Sequence, residues 1–204
     1  MQLIGMLDSP YVRRVAISLK RLDLPFEHRS VSVFRQMPTF SQINPLLRAP
    51  SLVCDDGTVL ADSTLILEYA EHLAGPERSL MPSNAEDYRR ALRLIGLALN
   101  ACDKTVHAYY ERTQRPPEKF HQPWFDRVQG QLNTAYQLLE SAMSSRSPWL
   151  VTDQMIQPDI TVAVAWRFTQ LYVSDVVLAE DYPQLAAFSD EVEQTPEFVS
   201  TPLP

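Results

Sequence analysis

Up to about residue 75 the apolar residues of this chain keep changing period; beyond residue 85 they hold one helical period almost to the end. A strand buries every second residue and a helix every third or fourth, so a change of that kind marks a change of architecture. The chain is therefore expected to divide into a small α/β part and an all-helical part. With 204 residues, both parts are long enough to bury a core.

The first part begins with a short apolar strand, Gln2 to Leu7, ended by Asp8-Ser9-Pro10. A helical stripe follows in Val12, Val15, Ala16, Leu19 and Leu22, stopped by Leu24-Pro25. Glu27 to Val33 alternates and is expected as a second strand. Gln36 to Ile43 fits a short irregular helix, broken by Asn44-Pro45. Two apolar runs flank Asp55-Asp56-Gly57, which predicts a β-hairpin. Asp62-Ser63 then opens a helix with Leu65, Ile66, Tyr69 and Leu73 on one side, and Gly75-Pro76 closes it. The predicted order is βαβ, a helix-like stretch, then ββα: a parallel pair joined to an antiparallel hairpin, about four strands. From Gly75 to Ala85 two prolines and polar residues show no period, so the linker falls there, between domains at 1–78 and 85–204. The second domain carries long stripes at Tyr88, Leu92, Ile95, Leu99, Cys102 and Val106, at Trp124, Val128, Leu132, Ala135 and Leu139, and at Ile160, Val164, Phe168 and Leu171. A short helix is expected between Tyr182 and Phe198.

Charge excludes several functions. Residues 1–78 carry 8 Lys and Arg against 9 Asp and Glu, and residues 79–204 carry 10 against 16. Neither part offers the basic face that a nucleic acid needs. No run approaches the roughly 18 apolar residues of a membrane span. The N-terminus has no basic leader, which points to the cytoplasm. Cys54 and Cys102 are too few for a disulfide framework and form no Cys-x-x-Cys pair. His28, His72, His107 and His121 lack ligand spacing to one another or to a cysteine, so no metal is expected. Five glycines and the absence of a Gly-x-Ser-x-Gly run leave no phosphate loop or hydrolase elbow.

Three short motifs offer chemistry. Ser9 stands where the first strand meets the first helix, with Pro10 in the first helical position. It is either a plain N-cap or a hydroxyl that donates to a thiolate in the positive field of the helix N-terminus. The second role would lower a thiol pKa from its free value of about 8.5. Ala49-Pro50 precedes the hairpin. It is either a strand-start proline or, if cis, a bond that turns the Ala49 N–H and C=O outward to pair with an extended peptide. Asp62-Ser63 is either another N-cap or a head-group site, with Ser63 and nearby N–H groups taking a carboxylate and Asp62 an ammonium.

Taken in order, Ser9-Pro10-Tyr11-Val12-Arg13-Arg14-Val15, then Asn44-Pro45 with Arg48-Ala49-Pro50-Ser51-Leu52, then Asp62-Ser63-Thr64 with Ile66 and Tyr69, resemble the cytosolic glutathione transferases. The resemblance covers essentially the whole chain, strongly to about residue 80. It implies an α/β thioredoxin-like N-terminal domain followed by an all-α helical-bundle C-terminal domain. It implies that glutathione is the co-substrate and that Ser9 activates its sulfur, as in the serine-type classes. Ala49 would pair with the cysteinyl backbone beside a cis Pro50, and Asp62 and Ser63 would hold the γ-glutamyl end. It also implies a homodimer with each active site near the subunit interface. Tyr11 supplies a second hydroxyl near Ser9. His107, Tyr110 and Trp166, with Tyr109, are candidates to line a pocket for a small hydrophobic electrophile, or else belong to the helical core. Where the family carries a Ser or Thr that caps the core helix, this chain has Ile156, with the matching Asp159 three residues on. The expected activity is conjugation of glutathione to such an electrophile. The same site would also serve glutathione-dependent isomerisation, dehalogenation or peroxide reduction, or bind glutathione in a non-catalytic protein.

Overall fold

The computed structural model describes residues 1–146 and 148–203; Ser147 and Pro204, both inside the expected 85–204 domain, lie outside the described residues. One unit comprises Met1–Leu80 with Gln194–Pro204, the other Met81–Glu193. The boundary between the two units falls after Leu80. The chain end from Gln194 does not stay with the helical domain, however, but joins the first unit.

The first unit contains β1 (Gln2–Ile4), α1 (Pro10–Arg21), β2 (Glu27–Arg29), α2 (Met37–Ile43), β3 (Ser51–Val53), β4 (Val59–Ala61) and α3 (Ser63–Ala74). Its sheet runs β2-β1-β3-β4. β1 and β2 are parallel with Leu3 opposite His28, and β1 and β3 antiparallel with Leu3 opposite Leu52. The hairpin partner β4 sets Leu60 opposite Leu52. Both β1 and β2 are shorter than their apolar runs. β1 stops because Gly5 leaves the strand at φ +143°, while its N–H closes the ladder on the Arg29 carbonyl at 3.1 Å. Val31 lies past the end of β2 and still packs, joining Ile4 and Phe40 in one cluster.

α1 buries Val12, Val15, Ala16 and Leu19 as their spacing predicts. It also buries Arg13 and Arg14, which the stripe does not anticipate. Arg13 explains where the chain end goes. Its Nε donates to the Thr201 carbonyl at 3.0 Å, and its guanidinium lies 5.2 Å from the centroid of buried Phe198. Lys20 adds a 2.6 Å bond to the Ser200 carbonyl, and Arg21 pairs with Glu197 at 3.1 Å. The expected tail helix is thus two helices, α7 (Pro183–Glu193) in the second unit and α8 (Pro196–Val199) in the first. On α3 the buried face is Ile66, Leu67, Ala70 and Ala74, while Leu65 and Leu73 are exposed. The inward face is therefore rotated from the predicted stripe: Ile66 stays inside, and Leu67, Ala70 and Ala74 face inward in place of Leu65 and Leu73.

The second unit packs α4 (Ala85–Thr113), α5 (Gln122–Met143), α6 (Gln157–Val173) and α7. α6 is buried nearly all round, as befits a central helix. α4 shows the same rotation as α3. It buries Ala91, Leu94, Ile95, Ala98, Ala101, Cys102, Thr105 and Ala108, and leaves Tyr88 43% and Leu92 50% exposed. Inside the bundle the Tyr136 hydroxyl donates to the Ala165 carbonyl at 3.0 Å. With that proton committed, Thr169 donates to Tyr136 and Thr105 to Thr169, both at 2.6 Å, so each of these three hydroxyl protons has an acceptor. Burial pushes the Tyr136 phenol well above its ordinary value. At the start of α6, Ile156 supplies no capping hydroxyl. Asp159 keeps its half of the arrangement, accepting the Ile156 N–H and the Leu150 N–H, each at 2.9 Å. Burial of that carboxyl outweighs these bonds and raises its pKa from 3.8 to about 6.

Candidate active site

Ser9 caps α1 with extended backbone (φ −73°, ψ 125°), and Pro10 takes the first turn, where its missing N–H costs nothing. Ser9 Oγ accepts the Val12 N–H at a long 3.4 Å. Its hydroxyl proton has no acceptor among the described residues. The two roles weighed for this serine are therefore compatible: it caps with a lone pair and retains a donor. Tyr11 follows two residues later, half-buried.

Gly5 brings the next piece to this helix. A Cβ there would lie 2.5 Å from Val12 Cγ2 and 3.2 Å from Ala49 Cβ. Only a glycine lets the Ala49 loop approach the first turn of α1, and its φ of +143° favours glycine as well. The Ala49–Pro50 bond is cis. Ala49 lies outside the strands and makes no backbone hydrogen bond to another described residue. The loop around it is braced from within. Buried Asn44 donates to Ser51 Oγ at 2.9 Å and accepts the Leu46 N–H at 3.0 Å, and Ser51 donates to the Arg48 carbonyl at 2.7 Å. This bracing is the structural role of the Asn44-Pro45 motif.

At the third motif Asp62 caps α3, its Oδ1 accepting the Thr64 N–H at 2.8 Å. Its φ of +74° lies in the region that non-glycine residues avoid. Such strain costs about 1–3 kcal/mol and persists where the surrounding structure holds it, commonly at ligand sites. Asp62 is exposed, and Oδ2 has no partner among the described residues. Ser63 is the opposite case, only 4% exposed. Its Oγ accepts Arg14 Nη1 at 3.0 Å, and the same Nη1 reaches Thr64 Oγ1 at 3.3 Å. α1 thus carries Ser9 at its cap and, one turn on, the arginine that holds the start of α3. Neither Gly5 nor Arg14 was singled out from the sequence. Gly5 carried a faint signal, as a glycine at a strand end, whereas an arginine in an apolar helix carried none.

This arrangement places one uncommitted hydroxyl, one uncommitted backbone unit and one carboxylate-plus-hydroxyl pair on the same unit. They match a thiol, a short extended peptide and an amino-acid head group in turn. A hollow of about 790 Å³ elsewhere on this unit is lined by none of these residues. It contains Cys54, whose thiol burial pushes up and Tyr69 hydrogen-bonds. That thiol is protonated at neutral pH, which suits packing rather than reaction.

In the helical unit, His107 and Tyr110 line a hollow of about 310 Å³ together with Arg115 and Trp124. The Trp124 ring lies 6.1 Å from that of His107. Trp166 is not among them. It is 2% exposed and packs edge-on against Tyr136 at 5.3 Å and Tyr182 at 5.9 Å, so it is a core residue. Tyr109 likewise packs on Tyr172 at 4.7 Å.

Comparison with known proteins points one way. The family model described as the glutathione S-transferase N-terminal domain matches residues 3–78, and its C-terminal counterpart matches residues 101–196. The uncharacterized GST-like protein YibF of Escherichia coli K12 is 27% identical over 165 residues, spanning 81% of this chain and 80% of the relative. The maleylacetoacetate isomerase of Pseudomonas aeruginosa is 34% identical over 100 residues, 47% of this chain and 45% of its own. Among solved structures, a glutathione S-transferase of Methylobacterium radiotolerans in complex with glutathione sulfonate superposes with TM-score 0.91 at 27% identity, over 100% of this chain and 95% of that one. A glutathione transferase family member from Pseudomonas fluorescens with bound S-(propanoic acid)-glutathione superposes with TM-score 0.82 at 29% identity, over 100% of both chains.

Proposed function

This chain belongs to the glutathione S-transferase family, and on that premise we propose that it binds glutathione, holds its sulfur as thiolate beside Ser9, and conjugates it to a small hydrophobic electrophile. The observation that carries the proposal is the Ser9 hydroxyl, which caps α1 through a lone pair and has no acceptor for its proton. A donor fixed in the positive field of a helix end stabilises the charged form of a thiol and lowers its pKa toward neutrality. Catalysis then comes from a preformed nucleophile that needs no general base during the attack. The enzyme itself forms no covalent bond.

Support for the rest of the assignment is local. The Ala49 N–H and C=O, beside Pro50, pair with the cysteinyl backbone as one added strand residue. Ser63 and the neighbouring N–H groups take the γ-glutamyl carboxylate, and the exposed Asp62 oxygen takes its ammonium. Partial similarity to an isomerase favours a second reaction on the same thiolate, addition to an activated double bond followed by elimination.

The test is direct. The protein should be retained on immobilised glutathione and should turn over a chloroaromatic acceptor. Retention with no turnover of any acceptor, including activated alkenes, would leave a binding protein in place of an enzyme.

A further inference from the structure

Arginines in amphipathic helices usually send their charge to water. Arg14 does not: it is 2% exposed and hands one nitrogen, Nη1, to the hydroxyls of Ser63 and Thr64, the first two residues of α3. We infer that Arg14 is a positioning residue, which fixes the Ser63 hydroxyl so that its proton faces the carboxylate of the γ-glutamyl group. The inference rests on the glutathione site proposed above.

A serine hydroxyl has one proton to give and two lone pairs to receive with. Arg14 Nη1 is a pure donor, so at Ser63 it occupies a lone pair. The geometry forces the O–H away from the guanidinium. No acceptor for that proton exists among the described residues, although the residue is almost wholly buried. Most buried polar side-chain atoms in folded proteins are hydrogen-bonded, and Ser63 meets that expectation only as an acceptor. The unspent proton marks where an anionic acceptor belongs. Donation from a guanidinium also polarises the O–H and makes it the stronger donor. Nearby, α3 carries no acidic side chain in its first turn, and the Asp62 cap takes only the Thr64 N–H, so the helix end keeps its attraction for an anion.

The consequence is specificity rather than chemistry. Arg14 acts on one feature of the ligand, the α-carboxylate of its first residue, and leaves the sulfur to Ser9. Lysine should replace it only in part: a single nitrogen, Nη1, meets both hydroxyls, but a compact and strongly hydrated ammonium is a poorer substitute for the weakly hydrated guanidinium in this buried position.

The test compares glutathione with γ-aminobutyryl-cysteinyl-glycine, which lacks only that carboxylate, in wild-type protein, Arg14→Met, Arg14→Lys and Ser63→Ala. Binding is measured by calorimetry, and KM and kcat with a chloroaromatic acceptor. Arg14→Met should weaken glutathione about ten- to a hundredfold and the analogue hardly at all, so that discrimination collapses. The loss should fall on KM more than on kcat. Arg14→Lys should recover only part of it, and Ser63→Ala should show the same collapse. Equal weakening of both ligands by Arg14→Met would reveal a merely structural role and overturn the inference. Full discrimination retained by Ser63→Ala overturns it as well, and does so even if the Arg14 variants fail to fold. Wild-type protein that binds neither ligand would instead overturn the glutathione site on which the inference depends.

Discussion

Ser9 and Asp159 are both polar groups at helix starts, and they are set to opposite ends. The Ser9 hydroxyl has a proton to spare; the Asp159 carboxylate accepts two N–H groups in a site that disfavours its charge. Removing the Ser9 donor should destabilise a bound thiolate, so the thiol holds its proton to higher pH. A hydrogen bond to a charged group is worth about 1.5–3 kcal/mol and one pKa unit about 1.4, so Ser9→Ala should shift the pH–rate profile upward by about one to two units. At neutral pH the rate should fall about ten- to a hundredfold, with partial recovery in alkali. An unshifted profile in Ser9→Ala, together with a shifted one in Tyr11→Phe, would reassign the role to Tyr11. For Asp159 the sign runs the other way from a surface carboxylate. Its folded pKa is about 6 against 3.8 unfolded, so the native state binds the extra proton between those values. The associated stability is present below about pH 4 and lost as pH rises to about 6, about 3 kcal/mol at most. Melting temperatures across this window should show wild-type protein losing ground to Asp159→Asn as pH rises. A difference that stays flat from pH 4 to 6 would refute it.

At the scale of elements, residue size decided which face turned inward. On α3 and α4 the stripe of large apolar residues is only partly buried: Ile66, Ile95 and Cys102 lie inward together with alanines, while Leu65, Leu73, Tyr88 and Leu92 stay exposed. Small side chains let helices approach closely, and the large residues on the flank are then left outside. The hairpin and α1 followed their local signals, because Asp55-Asp56-Gly57 and Ser9-Pro10 act through backbone geometry within a few residues. The buried hydroxyl chain of Thr105, Thr169 and Tyr136 joins three helices and is invisible to any local pattern. Tyr136→Phe should leave the Ala165 carbonyl and the Thr169 proton without their partner. That should cost about 1–3 kcal/mol in urea unfolding, with glutathione affinity unchanged. A loss below about half a kcal/mol would mean that the three hydroxyls do not act as a chain.

For the whole molecule, the exposed pair Tyr88 and Leu92 sits one turn apart on α4, a face with no cover in a single chain. We expect a second copy to cover it and the protein to sediment at about twice its 23.3 kDa. Leu92→Glu should then shift the population toward the monomer at micromolar concentration, because a dimer would bury an unpaired charge. A wild-type protein that sediments as a monomer with full activity would remove this expectation.

The sequence by itself determined the strand and helix order of the first unit and the helical character of the second. Each depends on local period, on a cap or on a turn, and such signals need no distant partner. Its account of burial was less complete. The arginines of α1, the alanine faces of α3 and α4, Trp166 and the chain end were all settled by what lies across the interior. Arg13 is buried because Phe198 and the Thr201 carbonyl come to it from the far end of the chain, and Arg14 because Ser63 and Thr64 do. A side chain's environment is the sum of contacts from segments far apart in sequence, and only the tertiary structure brings those segments together.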